Sequence, residues 1–207
     1  MITQIGPHKV QHGNVMHGIA KLMGTDQADI FYSDPPWGQG NLNYWQTINV
    51  RHNTDAQAVV IEYQHFINQI FNLAAMYAKG IVFIEYGRKW KDDIIRVGQE
   101  HGLIHLAVTE PIYRSGSEML PLHLHIFAKQ AMTLPQAYLK SIDGTHGMDT
   151  LIRATAPFIK PGGIVLDPCC GMGYSARLAH KLGMTFRGNE LNKTRLQKTI
   201  NFLNTTV

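Results

Sequence analysis

Ser33-Asp34-Pro35-Pro36-Trp37-Gly38 follows directly on the apolar run Ile30-Phe31-Tyr32. Each proline fixes its own φ and restricts the residue before it, so the chain leaves that run as a stiff, extended turn. In such a turn the Asp34 carboxylate and the main-chain carbonyl of Pro35, which has no N–H to offer, can present acceptors side by side. Together they would hold a planar amino group by both of its hydrogens. An aromatic amine is a poor nucleophile because its lone pair is delocalised into the ring. Acceptors drawing on its hydrogens favour a tetrahedral nitrogen, whose freed lone pair can attack a methyl group in line. Trp37 adds a flat face on which a base can stack, worth about 1–3 kcal/mol. Asp34, Pro35, Pro36 and Trp37 are therefore the candidate catalytic residues. The competing reading is a strand-ending turn whose Trp fills the core and whose Asp caps a helix.

A second stretch, Gly163-Ile164-Val165-Leu166-Asp167-Pro168-Cys169-Cys170-Gly171-Met172-Gly173, precedes a helical pattern opening at Tyr174. A strand feeding a glycine-bearing turn and then a helix brings backbone close to a nucleotide-like ligand. Asp167 can accept from a ligand ammonium, Gly171 and Gly173 leave room where a Cβ would collide, and Pro168 and Cys169 line the same turn. The next expected strand, Met184-Thr185-Phe186-Arg187-Gly188-Asn189, ends in Glu190, placed to take two ribose hydroxyls, with Asn192 just beyond as a further candidate. A lysine-and-serine phosphate loop is absent, which speaks against a nucleoside triphosphatase.

Both stretches need strands to carry them. Short runs rich in Val, Ile and Phe alternate with segments of helical spacing, the pattern of an α/β protein with a largely parallel sheet and helices on both faces. Seven strands are expected, over Lys9–Val15, Asp29–Ser33, Gly80–Glu85, Ile104–Thr109, Leu122–Ala128, Gly163–Asp167 and Thr185–Asn189. The longest helix is expected over Thr54–Ala78, where Val59, Tyr63, Phe66, Ile67, Ile70, Ala74 and Tyr77 form one stripe and Gly80 is placed to stop it. Others are expected over Lys91–His101, Met148–Ile159, Tyr174–Leu182 and Lys193–Leu203. No repeat, linker or low-complexity tract interrupts them, so residues 1–207 read as one domain.

The chain has 207 residues, 44% hydrophobic and 16% charged, which suits one folded domain rather than a disordered segment. A formal net charge of +4 favours phosphate-bearing partners without proving one. The adjacent pair Cys169 and Cys170 can neither form an ordinary disulfide nor supply zinc-ligand spacing, which points to a reducing compartment. With no leader pattern and no apolar run of membrane-spanning length, a soluble cytoplasmic protein without a membrane partner is expected.

Taken together, the two stretches resemble those of the amino-methyltransferases, which methylate exocyclic nitrogens with S-adenosylmethionine. Asp34-Pro35-Pro36-Trp37 matches that family's catalytic tetrapeptide, and Asp167–Gly173 is similar to its cofactor motif. The catalytic motif comes first, an order resembling the circularly permuted β-class of DNA amino-methyltransferases and the related adenosine methyltransferases that share the Trp. The resemblance implies a Rossmann-like seven-stranded methyltransferase sheet, S-adenosylmethionine as cofactor and a nucleic acid, DNA first, as partner. Asp rather than Ser in the first position resembles the family's adenine enzymes, implying transfer to adenine N6. Alternatives are the same chemistry on RNA or on cytosine N4, or a non-catalytic nucleic-acid-binding subunit; a homodimer or a partner subunit is possible. Two departures stand out. Asp143-Gly144-Thr145-His146-Gly147-Met148 replaces the Lys-Pro pair that β-class enzymes often carry, leaving Thr145 and His146 as candidates there. The segment between the motifs is consumed by core elements, leaving no separate target-recognition domain.

The stretch Gly38–Gln46 is polar, glycine-bearing and aromatic. Read as a loop, it could close over a flipped base through Asn41, Tyr44 and Trp45, with Arg51 and His52 behind it. Arg114, within Tyr113–Ser117, is a further candidate for reaching a groove, and Arg88, Lys89 and Lys91 beside Trp90 for meeting phosphates. His123 and His125 share a strand face, but without a third convergent ligand no metal is expected.

Overall fold

The structure, a computed structural model, describes residues 1–51 and 61–206. Strands β1 (Ile2–Ile5) and β2 (His8–His12) open the chain, followed by the single-turn helix α1 (Ala20–Met23), β3 (Ala28–Ser33), α2 (Gly38–Arg51), α3 (Tyr63–Tyr77) and β4 (Ala78–Tyr86). Next come α4 (Lys91–Glu100), β5 (Ile104–Thr109), the hairpin strands β6 (Ile112–Ser115) and β7 (Glu118–Pro121), and β8 (His123–Ala128). The chain closes through α5 (Gln136–Ile142), α6 (Met148–Thr155), β9 (Ile164–Asp167), α7 (Tyr174–Lys181), β10 (Thr185–Glu190) and α8 (Lys193–Thr206).

The main sheet has eight strands, in the order β1-β2-β10-β9-β3-β4-β8-β5, and not the expected seven. The additional strand is β1, an exposed edge strand paired antiparallel with β2 and too short to show an apolar run. Strands β2, β10, β9, β3 and β4 run parallel, while β8 is antiparallel to both β4 and β5. Side chains alternate across the pleat. Phe31 joins the cluster packed by α3 and α4, whereas Ile30 and Tyr32 join the one covered by α6, α7 and α8.

The differences at element ends have local causes. Gly80 does not stop α3; Ala78 caps that helix and Gly80 lies inside β4, where a Cβ would stand 2.1 Å from the Asp29 carbonyl oxygen. The expected helical residues Thr54 to Val59 lie outside the described residues, as does His52. The stretch from Gly38 is helix α2 rather than a loop, because Tyr86 from β4 and its own Asn41 satisfy the first backbone donors. Helix α6 gives way at Thr155 to a 3₁₀ turn containing Pro157, which cannot donate to the helical ladder. Residues 13–15, expected to end a strand, instead lead into a 3₁₀ turn that Asn14 caps by accepting from Met16 N at 3.0 Å. Among the described residues no helix is long and apolar enough to cross a membrane.

Candidate active site

Strand β3 lies between β9 and β4, and from β9 the chain proceeds to one side of the sheet while from β3 it proceeds to the other. The crevice at the carboxyl ends of such a pair is where open α/β sheets receive ligands. Asp34 and the glycine turn after β9 therefore share one edge of the sheet despite their separation in sequence.

The turn after β3 is clamped from β4. The Tyr86 hydroxyl accepts from Gly38 N at 2.8 Å and donates to the Pro36 carbonyl at 3.0 Å. Asn41 Oδ1 accepts from Trp37 N at 3.1 Å, so two of the first backbone donors around α2 are satisfied. Gly38, at φ +67°, has its α-carbon against the Trp90 ring, which a Cβ would meet at 2.3 Å. The Trp37 indole Nε1 donates to Asp34 Oδ1 at 3.1 Å, leaving Oδ2 open to the cavity. With Pro36 engaged by Tyr86, the Pro35 carbonyl accepts no backbone or side-chain bond among the described residues.

On the other side, Gly171 at φ +52° and Gly173 at φ +86° turn the chain from β9 into α7. Asp167 is 3% exposed, and both its oxygens are used within the turn: Oδ1 accepts from Cys169 N at 2.9 Å and Oδ2 from Ser175 Oγ at 2.6 Å. Glu190 is likewise fixed, accepting from Gly171 N at 2.8 Å through Oε2 and from Asn192 N at 2.7 Å through Oε1. Each carboxylate oxygen retains a second lone pair for a ligand. Asn189 Nδ2 donates to Gly13 O at 3.1 Å and to Pro168 O at 3.0 Å, pinning three strand ends together.

Two cavities open on this edge. The larger, about 500 Å³, is walled by Asp34, Trp37, Trp45, Tyr113 and Glu190. The smaller, about 270 Å³, is walled by Tyr32, Glu85, His146, Asp167 and Gly171. Asp34, Tyr113, Cys169 and Arg195 line both. Tyr113 meets Trp37 edge-on, with ring centroids 5.0 Å apart.

Of the sequence candidates, Asp34, Pro35, Pro36, Trp37, Asn41, Trp45, Pro168, Cys169 and Glu190 line the larger cavity, and Asp167 and Gly171 the smaller. Gly173 is the left-handed cap of α7, behind the cavity wall. Asn192, 2% exposed, ties α8 to α2 by donating to Asn49 Oδ1 at 3.0 Å and caps α8 by accepting from Arg195 N at 3.0 Å. Its side chain is thus committed to packing rather than to a ligand. Tyr44 is 56% exposed on the outer face of α2, and Arg51 ends that helix away from both cavities. Arg114 Nε donates to Gly116 O at 3.1 Å within the hairpin and lines neither cavity. Arg88 pairs with Glu110 at 3.3 Å, while Lys89 lies 4.1 Å over the Trp90 ring. Thr145 uses its hydroxyl on the Ile142 carbonyl and on Thr150. His123 and His125 pack with ring centroids 5.6 Å apart, and among the described residues no group of three or more ligating side chains is arranged to hold a metal ion.

Tyr86, Asn189, Glu85 and Arg195 do not stand out in the sequence. The only available signal for the first two is a polar group ending an otherwise buried strand. Glu85 follows Ile84, which pairs with Ser33 across the sheet, so it stands beside Asp34. Burial raises the carboxyl of Asp167 to about 7, against the Ser175 and Cys169 hydrogen bonds that oppose it. Burial and then the neighbouring Asp34 charge raise Glu85, while Tyr32 opposes the rise. Asp34 is also raised by burial at the cleft floor, but the Trp37 hydrogen bond and the Arg195 charge pull it back, and its side chain is open to the cavity.

No family model matches the chain, and no curated protein matches it. Solved structures match over nearly its full length. M1.HpyAVI bound to SAM is 14% identical with a TM-score of 0.65, the match covering 94% of this chain and 98% of that one. TTHA0409 of Thermus thermophilus, complexed with S-adenosyl-L-methionine, is 15% identical with a TM-score of 0.67, covering 97% and 94%. PvuII DNA methyltransferase, cytosine-N4-specific, is 9% identical with a TM-score of 0.62, covering 93% and 85%. The chain therefore has the mixed α/β fold shared by these structures.

Proposed function

We propose that the protein is an S-adenosylmethionine-dependent amino-methyltransferase acting on adenine N6 in DNA. The observation that carries this reading is Asp34, held by the indole N–H of Trp37 through one oxygen and open to an aromatic-walled cavity through the other, beside the glycine turn of β9. The residues present suit the cofactor. Glu190 offers lone pairs for ribose hydroxyls, and the turn at Gly171 has no side chain to fill the cleft. Asp167 and Glu85 give the smaller cavity the sign that attracts a cation. S-adenosylmethionine supplies a methyl group already activated on a sulfonium, so the protein's task is to position, orient and exclude water. Asp34 Oδ2 and the Pro35 carbonyl accept from the target amine, Trp37, braced edge-on by Tyr113, offers the base a stacking face, and Asp34 is the nearest acceptor for the proton the amine loses. The fold is common to a cytosine-N4 enzyme, so adenine rests on Asp at position 34.

The deciding experiment is mass spectrometry of nucleosides from DNA and from RNA incubated with the protein and S-adenosylmethionine. N6-methyladenine is expected in DNA. Methylcytosine, or label in RNA alone, would move the substrate, and firm cofactor binding without any transfer would favour a binding subunit.

Tyr86→Phe removes both bonds that clamp the Pro36–Gly38 backbone while preserving the ring. It is expected to lower kcat by about 10-fold, the effect of roughly 1.4 kcal/mol on the barrier, and to leave cofactor affinity unchanged. Steady-state kinetics beside a cofactor titration test this; an unchanged kcat would make the clamp irrelevant to chemistry.

Cofactor affinity should also depend on pH. The free protein holds Asp167, Glu85 and Asp34 above the usual carboxylate range, so part of the cluster is protonated near neutrality. A bound cation favours the ionised forms, so binding releases protons and affinity rises with pH through about 7 and about 8, the Asp167 and Glu85 values, then levels off. The same groups make the ligand-free protein lose stability as pH rises from the ordinary carboxylate range through those values. About a tenfold affinity gain is expected between roughly pH 6 and 8, since one pKa unit corresponds to about 1.4 kcal/mol. Calorimetry in buffers of different ionisation enthalpy would detect the proton release, and pH-independent binding would contradict the cluster's role.

A further inference from the structure

We infer that Arg195 receives the carboxylate at the amino-acid end of S-adenosylmethionine; the inference rests on the cofactor reading above. Arg195 projects from the first turn of α8, and it is the one cationic side chain, arginine or lysine, among the described residues that wall the two cavities. Its guanidinium lies over the glycine turn, close enough that a Cβ on Gly171 would stand 2.8 Å from one terminal nitrogen. The group also lies over the Trp45 ring, 4.3 Å from its centroid. Yet no hydrogen bond takes up its donors among the described residues. It makes no salt bridge among the described residues, although Asp34 and Glu190 both feel its charge, and its buried Nε has no hydrogen-bond partner. Glu190 cannot easily turn to it, because both of its oxygens are already held by the backbone N–H groups of Gly171 and Asn192.

A buried donor without a partner costs free energy unless a ligand satisfies it, and a guanidinium fork matches a carboxylate with two parallel bonds. The walls around Arg195 specify which anion. Asp34, Glu85 and Asp167 line the smaller cavity with it, so an anionic group alone would meet repulsion there. A zwitterionic amino-acid end satisfies both signs, with its ammonium toward the acids and its carboxylate toward Arg195. Thr145, by contrast, spends its hydroxyl on the backbone and on Thr150, and His146, which also walls the smaller cavity, offers a single ring nitrogen at a time rather than a fork of parallel donors.

The test compares S-adenosylmethionine with decarboxylated S-adenosylmethionine, which keeps the sulfonium and the amine but lacks the carboxylate. Calorimetric titration is run on the wild type, Arg195→Gln and Arg195→Lys. The wild type should prefer S-adenosylmethionine by about 10- to 100-fold, as expected for a charge-assisted pair. Arg195→Gln should bind the two equally, through lost affinity for S-adenosylmethionine only, and Arg195→Lys should recover part of the preference. Equal losses for both compounds in Arg195→Gln, or an undiminished preference, would overturn the assignment. Loss confined to DNA affinity would overturn it too, in favour of a phosphate contact. If the wild type binds neither compound, the cofactor reading itself fails, a result distinct from any of these.

Discussion

Asp34→Ala is expected to lower methyl transfer by about a thousand-fold or more, the scale on which removal of a preorganised polar group from an active site is felt. Alanine deletes the acceptor that faces the cavity and frees the Trp37 indole N–H that now fixes it. The Pro35 carbonyl alone would hold one amine hydrogen and leave the nitrogen planar and unreactive. The fold should tolerate the change, because the lost carboxylate repels Glu85 and Asp167, and its removal relieves both. Thermal stability near neutral pH should accordingly be unchanged or slightly raised. S-adenosylmethionine should bind the variant within a few-fold of the wild type, as roughly 1 kcal/mol or less is at stake in one more distant charge. Single-turnover transfer to labelled DNA, beside cofactor titration and a melting curve, separates these effects. A variant that melts normally but no longer binds cofactor would reassign Asp34 to holding the donor.

Trp37→Phe makes a companion to that change. Phenylalanine keeps a stacking face but has no N–H for Asp34 Oδ1, so a loss of rate with little change in DNA affinity would assign the indole to orientation, not to stacking. The sequence suggests the stacking face because ring type is visible in it, whereas the 3.1 Å bond to Asp34 depends on a turn geometry that only the folded chain displays. Much of the site divides along this line. Asp34, Pro35, Gly171 and Glu190 stand out because each lies at or just beyond the end of an expected strand, and strand ends are local in sequence. Their meeting in one crevice follows from the neighbouring places of β3 and β9 in the sheet.

What stays invisible in the sequence is set by distance along the chain. Tyr86 lies 48 residues from the Gly38 N it accepts from, and Asn189 lies 176 from the Gly13 carbonyl it bonds. Nothing in spacing or periodicity records such pairs. Helix α2 reads as a loop for the same reason: its composition, Gly38-Gln39-Gly40-Asn41, is unfavourable to helix, and the caps that rescue it come partly from β4. Asn192 reads as a ligand group because it neighbours Glu190, yet its amide is spent between α2 and α8. Arg195 escapes notice because a basic residue early in a polar helix looks like a solvated face, and only the cavity shows what it lies against.

Gly173→Val should be the most damaging single change on the cofactor side. Gly173 sits at φ +86°, where a β-branched residue is strongly disfavoured, and a left-handed conformation costs an ordinary residue about 1–2 kcal/mol. Space is lacking as well. A Cβ there would stand 2.8 Å from Thr199 Oγ1 and 3.1 Å from Thr199 Cγ2. Thr199 is fully buried on α8 and donates to the Gly171 carbonyl at 3.1 Å, so it cannot step aside without dragging the turn or the helix. Either displacement reaches Gly171, whose N–H holds Glu190, and with it both sides of the proposed cofactor crevice. The expected result is about 2–4 kcal/mol of lost stability, the range for combined overpacking and backbone strain, and roughly 100-fold weaker S-adenosylmethionine binding. Gly171→Ala supplies the contrast. Its Cβ meets only the far end of the Arg195 side chain, which can move, so strain at φ +52° is the main cost and stability should fall by about 1 kcal/mol. Denaturant unfolding gives the order of the two variants, and titration under conditions where both are folded gives the affinities. A folded Gly173→Val protein with wild-type cofactor affinity would show that the turn after β9 does not shape the cofactor site.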